Sequence, residues 1–156
     1  PHMPPWIRYL ANLIVGEDIK PSRKIFITRK DAMNRNIKNQ NELLMALKGW
    51  ETVTLENLSI KDQVKTFAEA THIVSPHGAG LTNLLWCRPK TKVYELTHKA
   101  FIGKIVYPSL SHHLELKHHV ILCDTEKISG QKPRNKKQKD MVNLKINVKD
   151  FISYID

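Results

Sequence analysis

The chain has 156 residues, which is the usual size of one domain and is enough to bury a single hydrophobic core. Its two cysteines, Cys87 and Cys123, are too few for a disulfide scaffold or a four-ligand zinc site. Its apolar runs fall short of the roughly 18 residues that a membrane helix needs, so the sequence predicts no transmembrane segment.

The net charge of +10 is concentrated in one segment of the chain. Six of these ten charges lie between Lys127 and Lys139, a stretch without an acidic residue. Glycine, proline and few apolar side chains predict a flexible basic loop over about residues 127–140. The loop lacks the aromatic side chains on which single-stranded nucleic acids stack, so a solvated loop is favoured over a nucleic-acid or membrane contact.

Hydrophobic periodicity predicts helices and strands that alternate along one domain, residues 4–156, once Pro1-His2-Met3 is set aside as a cloning scar. In chain order, the predicted elements are a helix from Trp6 to about Gly16, a strand Arg23–Thr28, a helix from Asn39 to Gly49, a strand Glu51–Glu56, a helix after Ser59, a strand Thr71–Ser75, a helix from about Leu81 to Cys87, a strand Lys92–Leu96, a helical stretch through Phe101, Ile105 and Leu110, a strand His118–Cys123, and a closing helix that packs Phe151, Ile152 and Tyr154. Some of the strands are apolar on both faces, which predicts an α/β fold with a doubly wound parallel sheet.

Two of these helices have recognisable first turns. Asn39 and Glu42 have the spacing of a capping box, and Ser59 and Asp62 cap the helix that follows. On that second helix, one face is predicted to carry the apolar residues Ile60, Val64, Phe67 and Ala68.

The loop after the first strand, Thr28–Asn39, is long for a strand-to-helix connection and is therefore a candidate functional loop. It contains four basic residues and one acid: Arg29, Lys30, Arg35 and Lys38 against Asp31. If the strand order is 2-1-3-4-5, the loops after the first and third strands lie side by side at the point where ligands bind in such sheets.

The loop after the third strand reads "SPHGAGLTN", Ser75–Asn83. Gly78 and Gly80 either only turn the chain or bring the first N–H groups of the next helix close to an anion, with Thr82 and Asn83 as further donors. The spacing departs from the dinucleotide-binding fingerprint, and no lysine follows as in a P-loop. His77 could contact phosphate, act as an acid or base, or hold the loop. Glu95, at the end of the fourth strand, is either solvated or bonded to a ribose diol.

Three segments together resemble a known glycosyltransferase family: "ITRKDAMNRNIKNQNELLMAL", "GWETVTLENLSIKDQVKTFAEATHIVSPHGAGLTNLLW" and "KTKVYEL". This family contains the EGF-domain-specific O-GlcNAc transferase, the O-mannose-linked N-acetylglucosaminyltransferase, and plant xylan xylosyl- and arabinosyltransferases. The resemblance covers about residues 25–96 and fades in the last third of the chain. One departure is Lys90, where the family usually has glycine.

The resemblance implies a GT-B enzyme of two Rossmann-like halves, of which this chain is the C-terminal, donor-binding half. Such enzymes transfer N-acetylglucosamine, xylose or arabinose from a UDP-sugar with inversion, to a glycan or protein acceptor. The acceptor is then bound mainly by a missing N-terminal domain, which is also expected to supply the catalytic base. His77 is the candidate base within this chain.

The same resemblance assigns the donor-binding residues. The diphosphate is expected to face Arg29, Lys30, Arg35, His77, Gly78, Ala79, Gly80, Leu81, Thr82 and Asn83, and the ribose is expected to face Glu95. No cofactor or metal is expected, because backbone N–H groups and arginines can hold a diphosphate and the D-x-D pair of metal-dependent enzymes is absent.

Two alternative functions stay open from the sequence. The domain could hold a nucleotide or another phosphorylated ligand without catalysing a reaction, or it could bind nucleic acid through the basic loop. The sequence assigns no compartment, since eukaryotic relatives work in the secretory pathway and microbial ones are often cytoplasmic.

Overall fold

The protein is described by a computed structural model that covers residues 6–16, 19–29, 32, 34–128 and 142–155. The α-helices are α1 (Trp6–Val15), α2 (Gln40–Ala46), α3 (Ile60–Ala68), α4 (Val106–His113) and α5 (Val148–Tyr154). The strands are β1 (Arg23–Ile27), β2 (Glu51–Val53), β3 (Ala70–Pro76), β4 (Lys92–Thr97), β5 (Lys117–Leu122), β6 (Asp124–Lys127) and β7 (Val142–Lys145). Short 3-10 helices span Leu55–Asn57, Ala79–Trp86 and Lys99–Phe101.

Strands β1 to β5 form one parallel sheet in the order β2-β1-β3-β4-β5. This order confirms the predicted α/β, Rossmann-like fold. Because β1 and β3 are neighbours, the loops that follow them leave the same edge of the sheet side by side. We call this the carboxyl edge of the sheet, and the opposite one the amino edge.

Helices and a short hairpin cover both faces of the sheet. Ile25, Ile73 and Val93 point to the first face, where they are fully buried with residues of α3, α4 and the 3-10 helix Ala79–Trp86. Phe26 and Val74 point to the second face, where they are fully buried with residues of α2, β7 and α5. Successive residues of a strand therefore enter different cores, which explains why these strands read as continuous apolar runs.

The helix after Ser59 is confirmed, and its capping is as predicted. The Ser59 hydroxyl accepts a hydrogen bond from the Asp62 backbone N–H at 3.1 Å and donates one to the Asp62 carboxylate at 2.6 Å. The predicted apolar face is correct for Val64, Phe67 and Ala68 but wrong for Ile60, which is 80% exposed. Ile60 is the first residue of α3, so contact with the core begins one turn later.

Asn39 is the N-cap of α2, but its side chain does not close the predicted capping box. The Asn39 amide instead accepts from the Ile146 N–H at 3.1 Å and donates to the Ile146 carbonyl at 2.8 Å. It also donates to Glu42 at 2.8 Å. The helix stops at Ala46 with its C-cap at Leu47, and the turn that follows reaches Gly49, whose backbone is left-handed (φ 78°).

Three further expectations about helices need correction. The predicted helix Leu81–Cys87 is a 3-10 helix that begins at Ala79. The stretch through Phe101 is two short helices, and Ile105 lies between them with 55% of its surface exposed. In α5, Phe151 is buried as predicted, whereas Tyr154 is 65% exposed because it lies in the last turn, past the core contact of Phe151.

The antiparallel hairpin formed by β6 and β7 was not predicted from the sequence. Strand β7 also pairs with the long loop after β1, since Leu144 bridges to Ile37 and the Val142 carbonyl accepts from the Arg35 N–H at 2.7 Å. That loop is therefore held in place by a segment that is over a hundred residues away in the chain.

Most of the predicted basic loop, and the predicted scar at residues 1–3, lie outside the described residues. Within the part of the chain that the structure describes, no helix is long and apolar enough to cross a membrane.

Candidate functional site

The first face of the sheet becomes polar at the carboxyl edge. Along β3 the apolar Ile73 is followed on the same face by Ser75 and then by His77, and along β4 Val93 is followed by Glu95 and Thr97. All four of these polar residues are buried, between 2% and 9% exposed. Buried polar groups are costly unless they have partners, so this edge is built for hydrogen bonding rather than for apolar packing.

Arg29 lies directly against the backbone of Gly78. A Cβ atom added to Gly78 would overlap the Arg29 guanidinium and would stand 3.1 Å from its Cζ atom. Glycine is therefore required for this close approach between the loop after β1 and the loop after β3. The predicted meeting of the two loops is confirmed at this contact.

Gly80 has a different role. A Cβ atom added there would stand 2.8 Å from Cδ1 of Leu55, which belongs to the core of the first sheet face. The missing side chain of Gly80 thus allows tight packing, whereas the missing side chain of Gly78 makes room for a cation.

Arg35, also in the loop after β1, is close enough to Arg29 to feel its charge. Its backbone is left-handed (φ 58°), and its N–H is held by the Val142 carbonyl. The Arg35 guanidinium carbon lies 5.2 Å from the centre of the Phe101 ring, a cation–π distance. Burial lowers the pKa of Arg35, and the positive charge of Arg29 lowers it further.

Both arginines keep a buried donor without a partner. The Nε atoms of Arg29 and Arg35 are buried and form no hydrogen bond with any described residue. Two neighbouring guanidinium groups with unused donors are a favourable setting for an anion that accepts several hydrogen bonds, such as a diphosphate.

His77 is the first member of a buried chain of side chains. Its Nδ1 is bonded to one oxygen of Glu95, and the other oxygen lies 2.8 Å from Nε2 of His118. The Nδ1 atom of His118 lies 2.7 Å from the Ser111 hydroxyl. Burial raises the pKa of Glu95, but the hydrogen bonds from His118 and His77 outweigh it, so the pKa lies below its ordinary value.

Aromatic rings surround the His77 imidazole. The ring centre of Phe101 lies 4.5 Å away and that of Tyr107 lies 5.3 Å away. Lys104 adds a further cation, 4.0 Å from the centre of the Phe101 ring. The Phe101 ring is therefore near the His77 imidazole and near the cationic groups of Arg35 and Lys104.

The other predicted site residues have varied positions. Ala79 and Thr82 are exposed, and Ala79 and Gly80 open the 3-10 helix, where the first N–H groups have no acceptor within the helix. Leu81 is fully buried, and its N–H donates to the Gly78 carbonyl at 3.0 Å. Lys30 lies outside the described residues.

Asn83 and Glu95 use their polar groups within the protein. The Asn83 amide donates to Gln63 at 3.0 Å and accepts from the Trp86 indole at 3.2 Å. Glu95 gives one carboxylate oxygen to each of two histidines and is 3% exposed. The structure thus places Glu95 in the interior, where it holds side chains, and not on a surface open to a ribose.

Sequence reasoning missed His118, Ser111 and Tyr107 as neighbours of the site. His118 faces the same side of the sheet as Glu95, and this follows from strand alternation once the register of β4 and β5 is known. Among the described residues, no group of three or more His, Cys, Asp or Glu side chains is arranged to hold a metal ion. Metal-independent ligand binding stays a prediction.

Comparison with known proteins gives a family match over residues 1–94, to the family described as Glycosyltransferase 61. A beta-1,2-xylosyltransferase of Oryza sativa subsp. japonica is 25% identical over 116 residues, which is 62% of this chain and 22% of the rice protein. A protein O-linked-mannose beta-1,4-N-acetylglucosaminyltransferase 2 of Xenopus laevis is 34% identical over 100 residues, 58% of this chain and 17% of the frog protein.

A beta-1,2-xylosyltransferase of Arabidopsis thaliana is 38% identical over 47 residues, 30% of this chain and 9% of the plant protein. The chain therefore spans between 9% and 22% of the length of these three relatives. The family match includes Arg29, Arg35, His77 and Gly78 and ends one residue before Glu95.

Proposed function

This chain belongs to the glycosyltransferase 61 family, and from that premise we propose that it is the donor-binding half of an inverting GT-B glycosyltransferase. In this proposal the carboxyl edge of the sheet binds the diphosphate of a UDP-sugar. The rest of the enzyme, which binds the acceptor, lies outside this chain.

One observation carries the proposal: Arg29 lies against the Gly78 backbone, Arg35 is near enough for the Arg29 charge to lower its pKa, and each keeps a buried Nε donor that forms no hydrogen bond with any described residue. Leaving cations close together and unpaired is unfavourable for folding, and such an arrangement is typical of a site whose partner is a ligand. The first N–H groups of the helix that starts at Ala79 add donors with a partial positive charge.

In an inverting transfer the acceptor hydroxyl attacks the anomeric carbon from one side while UDP leaves from the other. The reaction needs a general base for the hydroxyl and stabilisation of the negative charge that develops on the leaving diphosphate. We assign the second task to Arg29, Arg35 and the backbone after Gly78. We assign the base to the acceptor-binding half.

The sugar is proposed from the relatives. The rice and thale-cress proteins are named as xylosyltransferases, and the frog protein as an N-acetylglucosaminyltransferase. UDP-xylose and UDP-N-acetylglucosamine are therefore the donors to compare first, with a glycan or protein as the acceptor. Binding through arginines and N–H groups requires no metal, so we propose that the donor binds without one.

The proposal is tested by calorimetric titration of the domain with UDP, UMP, ADP and pyrophosphate, each with and without EDTA. UDP is expected to bind more tightly than UMP, because the second phosphate adds charge-assisted hydrogen bonds. It is also expected to bind more tightly than ADP, and to be unaffected by EDTA. Lys48→Ala removes an exposed lysine in the turn between α2 and β2. This variant should bind UDP as tightly as the wild type, which controls for a general effect of the positive charge of the domain.

Three other outcomes would change the assignment. Equal binding of UDP, ADP and pyrophosphate would favour a phosphate-binding module without nucleotide choice. Loss of UDP binding in EDTA would contradict metal independence. Absence of binding by any of the four ligands would contradict the proposed donor site in this domain.

A further inference from the structure

Four side chains next to the proposed donor site form a continuous hydrogen-bonded chain, His77–Glu95–His118–Ser111, and the binding of the diphosphate assigns a task to none of them. We propose that Glu95 and His118 are positioning residues that hold the His77 imidazole with its hydrogen on Nδ1, so that Nε2 accepts a hydrogen bond from a hydroxyl of the bound ligand. The inference rests on the proposed function, because the ligand is taken to be a nucleotide or nucleotide-sugar.

The direction of the hydrogen bonds follows from the chemistry of Glu95. An ionised carboxylate can only accept, so Nδ1 of His77 and Nε2 of His118 must both carry hydrogens. Glu95 is ionised at neutral pH, since its pKa lies below the ordinary value. In the neutral imidazole of His77, a hydrogen on Nδ1 leaves a lone pair on Nε2.

His118 is fixed in turn by Ser111. When His118 is neutral and donates from Nε2, its Nδ1 accepts from the Ser111 hydroxyl at 2.7 Å. A serine, a histidine and a carboxylate in a row also occur in hydrolases. Here Ser111 is 0% exposed, so no substrate reaches its hydroxyl, and the serine serves as an anchor for the chain.

The Nε2 atom is the part of the His77 ring left for a ligand, because it forms no hydrogen bond with any described residue. The His77 side chain is mostly buried and keeps 11% of its surface exposed. Phe101 and Tyr107 both pack against the ring, so its orientation is restricted by packing as well as by Glu95. Because Arg29 lies on the adjacent Gly78, a ligand phosphate at the arginines would bring the attached ribose or sugar hydroxyls near His77.

The arginines and His77 are expected to bind different chemical groups of the ligand. The arginines bind phosphate oxygens, which are acceptors, and a lone pair on His77 Nε2 binds hydroxyls, which are donors. The affinity for pyrophosphate, which has no ribose, should then be independent of His77, whereas the affinity for UDP should depend on it.

The test begins with the ligand-free domain, where long-range proton–nitrogen NMR spectra report which imidazole nitrogen carries hydrogen. We expect the Nδ1–H form of His77 in the wild type, and a mixture of forms in His118→Phe, where Glu95 loses the second donor that holds its carboxylate toward His77. His118→Gln, whose amide can still donate to Glu95, should keep the Nδ1–H form. His119→Phe is the matched control, since the His119 ring stacks on Tyr94, 5.2 Å away, and is not part of the chain.

The second readout is ligand affinity. His118→Phe is expected to weaken the binding of UDP severalfold and to leave the binding of pyrophosphate unchanged. His118→Gln is expected to bind both ligands about as tightly as the wild type. An Nε2–H form of His77 in the wild type would overturn the inference, as would equal effects of His118→Phe and His118→Gln or equal losses of UDP and pyrophosphate. If the wild type bound no UDP, the proposed function would fail, while the NMR result would still decide the state of His77.

Discussion

Strand β1 has an arginine near each end, and the two arginines differ in what they contact. At the amino edge, Arg23 forms an ion pair with Glu51 at 2.6 Å and another with Glu69 at 3.1 Å. At the carboxyl edge, Arg29 lies on the Gly78 backbone and forms no ion pair with any described carboxylate.

The pKa values of the arginines at the two edges are shifted in opposite directions. Hydrogen bonding to Glu51 raises the pKa of Arg23, so the fold stabilises its charge. Burial and the nearby Arg29 lower the pKa of Arg35, so the fold opposes its charge. An arginine that is paired with carboxylates contributes to the fold, whereas neighbouring arginines without them indicate a site for an external anion.

The largest expected effect is a loss of stability at Gly80, which packs against the core at the carboxyl edge. Gly80→Val should destabilise the domain by about 1–3 kcal/mol, because the new side chain meets Leu55 in the core. Thermal unfolding should then occur about 2–12 °C lower. Ala79→Val, at an exposed neighbouring position, is the control and should leave the unfolding temperature close to that of the wild type.

Gly78→Ala tests the other glycine. Its Cβ would displace the flexible end of Arg29 rather than a core side chain, so stability should change little. Loss of one charge-assisted hydrogen bond to the ligand should raise the Kd for UDP by about tenfold. Calorimetry and thermal unfolding of the same variant check both statements, and a destabilised variant with normal UDP affinity would refute them.

Arg23→Ala should have the opposite pattern. Removing a partly exposed arginine with two carboxylate partners should cost about 1 kcal/mol, which lowers the unfolding temperature by about 2–4 °C. The affinity for UDP should not change, because Arg23 lies at the amino edge. A clear loss of UDP affinity in this variant would break the distinction between the two edges.

The smallest expected effect is in the response to acid. Arg23 lowers the pKa of Glu51, and the two histidines hold the pKa of Glu95 below its ordinary value of 4.5. A carboxyl whose pKa is lowered by folding stabilises the protein above its unfolded pKa, and this contribution is lost as the pH falls through the folded value. Denaturant unfolding at about pH 7 and about pH 3 should therefore show that acid lowers the free energy of unfolding less in Arg23→Ala than in the wild type.

Much of the fold was predictable, because apolar runs and helix-capping residues within short segments indicate the strands and helices directly. The five strands of the parallel sheet, the capped helix after Ser59 and the meeting of the loops after β1 and β3 all follow from apolar runs and parallel-sheet geometry. The resemblance also identified Lys90 as a replacement for glycine, and its backbone is indeed left-handed (φ 71°).

The rest depends on contacts between distant segments, which local patterns do not encode. Strand β7 of the β6–β7 hairpin pairs with the Ile37 region, which lies over a hundred positions away in the chain. Glu95 looked like a residue at an open strand end because nothing in its own segment reveals His118, which faces it from the next strand. The role of Gly80 likewise depends on Leu55, which belongs to the 3-10 helix after β2.

Arg29 is proposed to hold the diphosphate of a UDP-linked donor. The decisive experiment measures the Kd values of UDP and UMP for the wild type, Arg29→Ala and Lys48→Ala. We predict that the preference for UDP over UMP collapses in Arg29→Ala, with a loss of UDP affinity of about tenfold or more, and is retained in Lys48→Ala. An unchanged UDP-to-UMP preference in a folded Arg29→Ala variant would contradict the claim.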